Sequence, residues 1–282
     1  RQKLIGLRHA ETKKMPQDED LLEDLVFKAT KGGHKVFVSG TPDDDLFVDP
    51  VDLDADDLPN VVNDLDFDYF PSAETSSSLA DSPEVQAKLD KAIADVDIRI
   101  LNPPREGKKL LVLDLDYTLF DMKSTAESIN ELKRPFLEEF MTLAYQHYDI
   151  VIWSQTKWTY LEMKLTDLGL LTSDAFKLMF VLDISCMFSV RSMYKGKPRT
   201  HQVKALPIIW AHFPDRFGPH NTVHIDDVSR NFAVNPQQGL KIKAFKRAAV
   251  NRATDRELFR LSAYLIHLAT SVPDFRSLDH AR

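Results

Sequence analysis

The sequence predicts an α/β fold over residues 82–282, a parallel sheet with helices on both faces. One observation is the recurrence of short apolar runs: "LLVL" (110–113), "DIVIW" (149–153), "LMFVLD" (178–183), "TVHI" (222–225) and "LKIKAF" (240–245), separated by helical segments. Runs apolar at nearly every position belong to strands buried on both faces, and strand–helix alternation belongs to parallel sheets. The second is that carboxylates or hydroxyls directly follow three of the runs, at Asp114, Ser154 and Asp226. Open α/β sheets place their ligands at those carboxyl ends.

Taken in order, residues 1–42 read as a partial α+β module. "QKLIGL" is a short strand, "DEDLLEDLVF" a turn or short helix, and "KGGHKVFVSG" a glycine turn leading into an alternating strand. Residues 43–81 read as an acidic linker. Eleven aspartates and no Lys or Arg lie between Asp43 and Phe70, with Pro50, Pro59 and Pro71 interrupting, a composition that buries little. Order returns with "SPEVQAKLDKAIADVDIRI", where Ser82 is the N-cap, Pro83 opens the helix, and Val85, Leu89, Ile93 and Val96 share one face. A proline-started helix is expected from Pro135 ("PFLEEFMTLAYQHY"), another over "KWTYLEMKLTDLGL", and a closing one over "RELFRLSAYLIHLAT". The stretch 157–203 leaves room for a small cap.

The chain has 282 residues, 43% of them hydrophobic, and a net charge of −7, which suits about two globular units. Residues 1–109 carry 24 acids against 14 bases; residues 110–282 carry 19 against 22. That asymmetry argues against direct nucleic-acid binding, which needs a basic face. The single cysteine, Cys186, excludes an internal disulfide. No apolar run reaches the length of a membrane helix. The chain begins at Arg1 with no methionine or signal pattern, which predicts a missing N-terminal segment.

The triplet Asp-Leu-Asp occurs at 52–54, 64–66 and 114–116. The first two copies lie in the acidic linker with no buried strand feeding them, so Asp52, Asp54, Asp64 and Asp66 are read as solvated acid. The third follows "LLVL". In extended backbone Asp114 and Asp116 project to the same side. Two carboxylates in such proximity repel, and a proton or a cation must offset one of them. Mg²⁺, which prefers oxygen ligands, meets that need; strand-end acids paired with lysines are the alternative. "VIWSQT" adds the hydroxyls of Ser154 and Thr156, able to hydrogen-bond a phosphoryl oxygen, and "TVHIDD" adds a second carboxylate pair, Asp226 and Asp227. Between them Lys204 in "HQVKAL" can offset phosphate charge. His224, beside a buried run, is read as a core residue.

In this pattern the chain resembles the aspartate-nucleophile phosphatases of the haloacid-dehalogenase superfamily. "DLDYT" resembles their first motif, "WSQT" the hydroxyl motif, Lys204 the lysine motif and "IDDVSRNF" the acidic motif. Within the superfamily, "LNPPREGKKLLVLDLDYTLFD", "YDIVIWS" and "NPQQGLKI" resemble the branch acting on the phosphorylated C-terminal domain of RNA polymerase II, and in it the ubiquitin-like-domain-containing members. The resemblance implies a haloacid-dehalogenase-like fold and a Mg²⁺-dependent protein serine/threonine phosphatase. Asp114 would be the nucleophile and Asp116 the general acid and base. Thr118 and Ser154 would position the phosphoryl group and Lys204 would stabilise charge. Asp114, Asp116, Asp226 and Asp227 would form the metal site, with Asp227 the direct ligand of its pair. Gln155 stands where the family usually has alanine, and "VLDISC" lacks the arginine that small members carry before Glu-Ser-Cys.

Residues 1–42 are similar to the second half of ubiquitin. By the two resemblances the partners would be a phosphoprotein substrate and, through the ubiquitin-like part, the proteasome; the chain would be a monomer and its compartment the nucleus, with the cytoplasm second. Leu4, Val36 and Val38 would point into the small core, leaving Ile5 and Phe37 as an exposed apolar patch or as packing for a neighbouring segment. Two other readings stand beside the phosphatase: an inert ubiquitin-like adaptor, and a small-molecule phosphatase of the same superfamily. A cysteine phosphatase is excluded, because four residues separate Cys186 from Arg191 where that loop needs five. Only about 35 residues separate Thr118 from Ser154, most of them used by the helix near Pro135, so no large lid fits there and a protein-borne phosphate suits the site.

Overall fold

The structure, a computed structural model, describes residues 79–194, 197–278 and 280. The expected ubiquitin-like module, the acidic linker and the first two Asp-Leu-Asp copies lie outside the described residues. The first described helix, α1 (Pro83–Asp95), begins as the sequence indicates: the Ser82 hydroxyl accepts from the Val85 amide at 3.2 Å, and Pro83 opens the helix where no amide is needed.

Five parallel strands form one sheet in the order β3-β2-β1-β6-β7. They are β1 (Lys109–Leu113), β2 (Tyr148–Trp153), β3 (Leu178–Leu182), β6 (Thr222–Asp226) and β7 (Gly239–Lys241). β1 is central, hydrogen-bonded to β2 on one side and β6 on the other. Alternate residues of each strand feed two cores. Leu111, Leu113, Ile150, Ile152, Val223 and Ile225 face the helices α3 (Leu137–Tyr145), α4 (Trp158–Asp167) and α7 (Glu257–Ser271). Leu110, Val112, Val151 and Trp153 face α1 and the short α5 (Pro207–His212). Both faces are therefore covered, which is why β1 and β2 are apolar almost throughout. Single turns α2 (Ile129–Leu132) and α6 (Ala248–Asn251) complete the helices. No helix among the described residues is long and apolar enough to cross a membrane.

The room in 157–203 is filled by an antiparallel hairpin, β4 (Phe188–Tyr194) with β5 (Lys197–Val203). Its buried Val190 and Val203 pack with Val85 of α1 and with Ala233, and Lys88 of α1 donates to the Ser189 carbonyl at 3.1 Å. The hairpin thus braces α1 and delivers Lys204 directly from its second strand.

Two boundaries differ from expectation. The helix after Pro135 starts at Leu137, because Phe136 takes a left-handed backbone (φ 67°) and turns the chain before the first helical residue. The last strand is three residues long rather than spanning "LKIKAF". After Lys241 the backbone leaves the ladder: Ile242 still donates to the Asp226 carbonyl at 3.0 Å, and Phe245 donates to the Tyr117 carbonyl at 2.7 Å. Ile242 and Phe245 are buried all the same, so the alternation reports a core edge without regular pairing. Gly239 is required where β7 passes the Phe232 ring, since a Cβ there would lie 2.3 Å from it.

Arg134 ties the lower-numbered and higher-numbered halves of this edge. Its buried guanidinium holds Asp255 through two bonds, at 3.1 and 3.0 Å, and donates to the carbonyls of Thr118 at 3.0 Å and Lys243 at 2.9 Å. A planar fork with five donors suits that task and an ammonium does not. Arg134→Met should lower unfolding free energy by about 3–5 kcal/mol in denaturant titration, because Asp255 and two carbonyls lose their partner. Arg134→Lys should recover only a small part of it.

Candidate active site

The carboxyl ends of β1, β2 and β6 come together at one edge of the sheet. Asp114 directly follows β1, Ser154 follows β2, and Asp226 ends β6 with Asp227 next. The sheet register places Leu113 beside both Ile152 and Ile225, so these three strand ends lie level. Lys204 arrives from the end of β5. All the site residues expected from the sequence within 82–282 meet here.

Lys204 is fully buried, and its ammonium donates to Asp114 Oδ1 at 2.6 Å and to Asp226 Oδ2 at 2.7 Å. Burial pulls the ammonium down, but the two carboxylates outweigh it and hold the group above its usual value. Asp226 also accepts from Asn231 Nδ2 at 2.8 Å and from the Val228 amide at 2.8 Å. Burial acts to raise its carboxyl, and Lys204, with the neighbouring His224 ring, overrides it, leaving Asp226 below the ordinary carboxylate range. Asp114 has less support. Burial, with Asp226, Asp227 and Asp116 around it, pushes its carboxyl well up despite Lys204. Asp227 is pushed up to about 7 by burial and the charge of Asp226. His224 Nε2 lies 3.6 Å from Asp226 Oδ2, beyond hydrogen-bond length, and burial keeps the ring neutral. It is a core residue, as its place in the strand suggests.

Oxygens of Asp114, Asp226 and Asp227 lie within 4.8 Å of one another. Three carboxylates served by one lysine leave an excess of negative charge, which pushes the carboxyls of Asp114 and Asp227 up. An all-oxygen donor set short of cationic partners fits a hard divalent ion. Asp226 is occupied by Lys204, Asn231 and Val228, whereas the side-chain bond to Asp227, from Thr118 Oγ1, is long, at 3.4 Å. Asp114 and Asp227 are therefore the members with coordination capacity to spare.

Asp116 lies outside this group of three, although the sequence places it in the metal site. Its Oδ1 accepts from Lys164 Nζ at 2.8 Å; its Oδ2 accepts from Thr156 Oγ1 at 2.9 Å and Ser154 Oγ at 3.2 Å. β1 ends at Leu113, so neither acid belongs to the strand, and beyond them Tyr117 turns the chain with a left-handed backbone (φ 63°). That conformation costs about 1–2 kcal/mol for a residue with a side chain. The Tyr117 amide bonds to the Phe120 carbonyl and its carbonyl to the Phe245 amide, and these hold the turn. Each acid of the pair accordingly has its own lysine. Lysine pairing, one of the two readings weighed in the sequence, is present at both acids, beside a carboxylate triad. Lys164 is the residue that sequence reasoning missed. Its position on α4, one turn beyond Tyr160 and between buried Leu161 and Leu165, carries a signal only once the helix is seen to start beside Ser154.

Residues 109–276 match the model of the family described as NLI interacting factor-like phosphatase. The chain belongs to that family. A Drosophila melanogaster relative, ubiquitin-like domain-containing CTD phosphatase 1, is 41% identical over 100% of this chain and 83% of its own length. The human protein of the same name is 40% identical over 99% and 83%. The solved structure of a variant of the fission yeast RNA polymerase II CTD phosphatase Fcp1, bound to beryllium fluoride, is 15% identical, with a TM-score of 0.32 over 66% of this chain and 53% of that one. That likeness is too slight to bear on the site. Membership makes the chain a phosphatase of the FCP type.

The excess charge sets a pH dependence. An acid whose folded pKa is raised stabilises the fold fully below its unfolded value of 3.8 and loses that contribution as pH rises through about 7. With a chelator present, the melting temperature should therefore fall between pH 5 and 8. Asp227→Asn should flatten that fall, and millimolar Mg²⁺ should raise the wild-type melting temperature most at the alkaline end. A profile identical in wild type and variant would separate Asp227 from the effect.

Proposed function

We propose that the chain is a Mg²⁺-dependent protein serine/threonine phosphatase that works through an aspartyl-phosphate on Asp114, with phosphopeptides of the RNA polymerase II C-terminal domain as its substrate class. The observation that carries the reading is the division of charge between the two acids of "DLDYT". Asp114 sits with Lys204 among the clustered carboxylates, whereas Asp116 is held apart by Lys164 and two hydroxyls. One acid can act as a nucleophile at a charge-compensated centre while the other manages protons.

Mg²⁺ would be held by Asp114 and Asp227, with Asp226 behind them, and when bound it would offset the charge of these acids and of the phosphoryl oxygens. An Asp114 oxygen bonds to phosphorus as the ester P–O bond breaks; the electron pair stays on the departing oxygen, which takes a proton from Asp116. Asp116 then removes a proton from water as the water oxygen bonds to phosphorus and the P–O bond to Asp114 breaks, releasing phosphate. Lys204 stays at the Asp114 carboxyl throughout, and the hydroxyls of Ser154 and Thr118 receive phosphoryl oxygens. The segment from Thr118 to Ser154 holds only α2, α3 and β2 with short connections, and such an uncovered centre suits a phosphate carried on a protein. The relatives named as CTD phosphatases support the substrate class.

Asp114→Asn removes the nucleophile and keeps its shape. It should reduce turnover of a phosphoserine peptide and of a small phosphate ester by at least about a thousandfold, roughly the whole covalent route, with an unchanged melting profile. Beryllium fluoride with Mg²⁺ should inhibit the wild type. Turnover above a tenth of wild type in clean Asp114→Asn protein would remove Asp114 from this role.

The N-terminal segment adds targeting: we assign it a ubiquitin-like surface, including Ile5 and Phe37, that recruits a monomeric nuclear enzyme to the proteasome. An isolated exposed apolar residue is ordinary, but a cluster marks a binding surface. Ile5→Asp should lose proteasome association in a pull-down while hydrolysis of a small ester and thermal stability stay unchanged. A large fall in melting temperature would put Ile5 in a core instead.

A further inference from the structure

Asp116 is held more completely than Asp114 or Asp227. Lys164 Nζ donates to Asp116 Oδ1 at 2.8 Å and to Thr156 Oγ1 at 3.1 Å, and Thr156 Oγ1 donates to Asp116 Oδ2 at 2.9 Å. The three side chains close a ring. Neither charged member is a free surface group, since the side chains of Lys164 and Asp116 are only 13% and 16% exposed. Most surface lysines contribute little, because their stems stay mobile. This one rises from α4, whose Leu161 and Leu165 are buried in the core and whose first amide, on Trp158, is held by Asp183 Oδ2 at 2.8 Å. The donor is thus fixed to a rigid element.

An ammonium has three donors and no acceptor. The Asp116 oxygen facing Lys164 is therefore a poor place for a proton, and the proton belongs on Oδ2. The Ser154 hydroxyl, on the same Oδ2 at 3.2 Å, is the weakest of the three bonds. When Ser154 turns to a phosphoryl oxygen, a position on Oδ2 opens on the side where the phosphoryl group sits, while Lys164 and Thr156 keep the carboxyl from rotating.

We propose that Lys164, acting with Thr156, is a positioning residue that locks the Asp116 carboxyl so that Oδ2 meets the departing oxygen. The inference rests on the phosphatase reading above. In the first step the proton on Oδ2 passes to the oxygen that leaves phosphorus, and the carboxylate left behind faces an ammonium that stays protonated. In the second step Oδ2 recovers a proton from the attacking water. Lys164 exchanges no proton in either step.

Leaving groups separate positioning from general structural support. A serine alkoxide needs a proton as it departs, whereas 4-nitrophenolate leaves as a stable anion. kcat/KM reports the steps up to departure in both cases. Lys164→Met should lose about a hundredfold in kcat/KM on a phosphoserine peptide, in the range of a displaced general acid, and less than about fivefold on 4-nitrophenyl phosphate. Lys164→Arg should restore most of the loss on the peptide. Thr156→Val, which removes the other hold on the carboxyl, should show the same selective loss and stands in if Lys164→Met fails to fold. Equal losses on both substrates, or no loss, would overturn the assignment. Asp114→Asn run alongside keeps the two levels apart: its inactivity with equal losses for Lys164→Met sinks the positioning role alone, whereas its activity sinks the aspartyl-phosphate reading on which the inference rests.

Discussion

The ammonium of Lys204, enclosed between Asp114 and Asp226, is the constraint around which the sheet edge is organised. An ionised group without a partner in such surroundings costs several kcal/mol or changes its protonation, so the positions of three chain segments follow from it. The end of β1 must bring Asp114, the end of β6 must bring Asp226, and the hairpin must deliver the lysine from the side. Asn231 reinforces the arrangement twice, since its side chain donates to Asp226 and its carbonyl accepts from the Lys204 amide. One cation cannot balance every acid near it, and the imbalance falls on Asp114 and Asp227. The same imbalance that weakens the metal-free fold is what a bound cation would relieve in the proposed reaction.

The separation of Asp114 from Asp116 gives the site its chemical asymmetry. Two residues apart in sequence, they belong to different electrostatic surroundings, Asp114 against Lys204 and Asp116 against Lys164, Thr156 and Ser154. One looks into a crowded, buried cluster and the other into a ring of donors at the start of α4. The proposed reaction rests on that asymmetry, with the more deeply buried acid as nucleophile and the more exposed, firmly oriented one as proton carrier.

The layers of the fold were legible because buried parallel strands write themselves as apolar runs, and β1, β2, β3 and β6 fall where those runs do. Ser82 and Pro83 likewise marked the start of α1. The acids and Lys204 were legible through their order along the chain and their strand-end places. What escaped has a common cause. The hairpin β4–β5 contains Ser, Arg, Lys and His among its strand residues, since one side packs on α1 and the other is solvated, and no apolar run announces it. Phe136 and Tyr117 adopt left-handed backbone without being glycine, so local propensity points elsewhere and only the surrounding bonds hold them. Lys164 looks like any helix lysine until α4 is placed beside Asp116.

Arg134 has a consequence for motion. Its four bonds join the loop that carries Thr118, the segment after β7 and the residue ahead of α7. These pieces are distant in sequence, and each would fray separately if it were tied only to its chain neighbours. Bound through one buried fork, they open together or not at all, which makes them a single cooperative unit in the sense of native-state exchange. Their amides should share one protection level, set by the loss of the α7 contact rather than by local loop stability. The turn beside the catalytic acids is thereby kept as quiet as the core helix on the far side of the arginine, even though its own backbone is irregular.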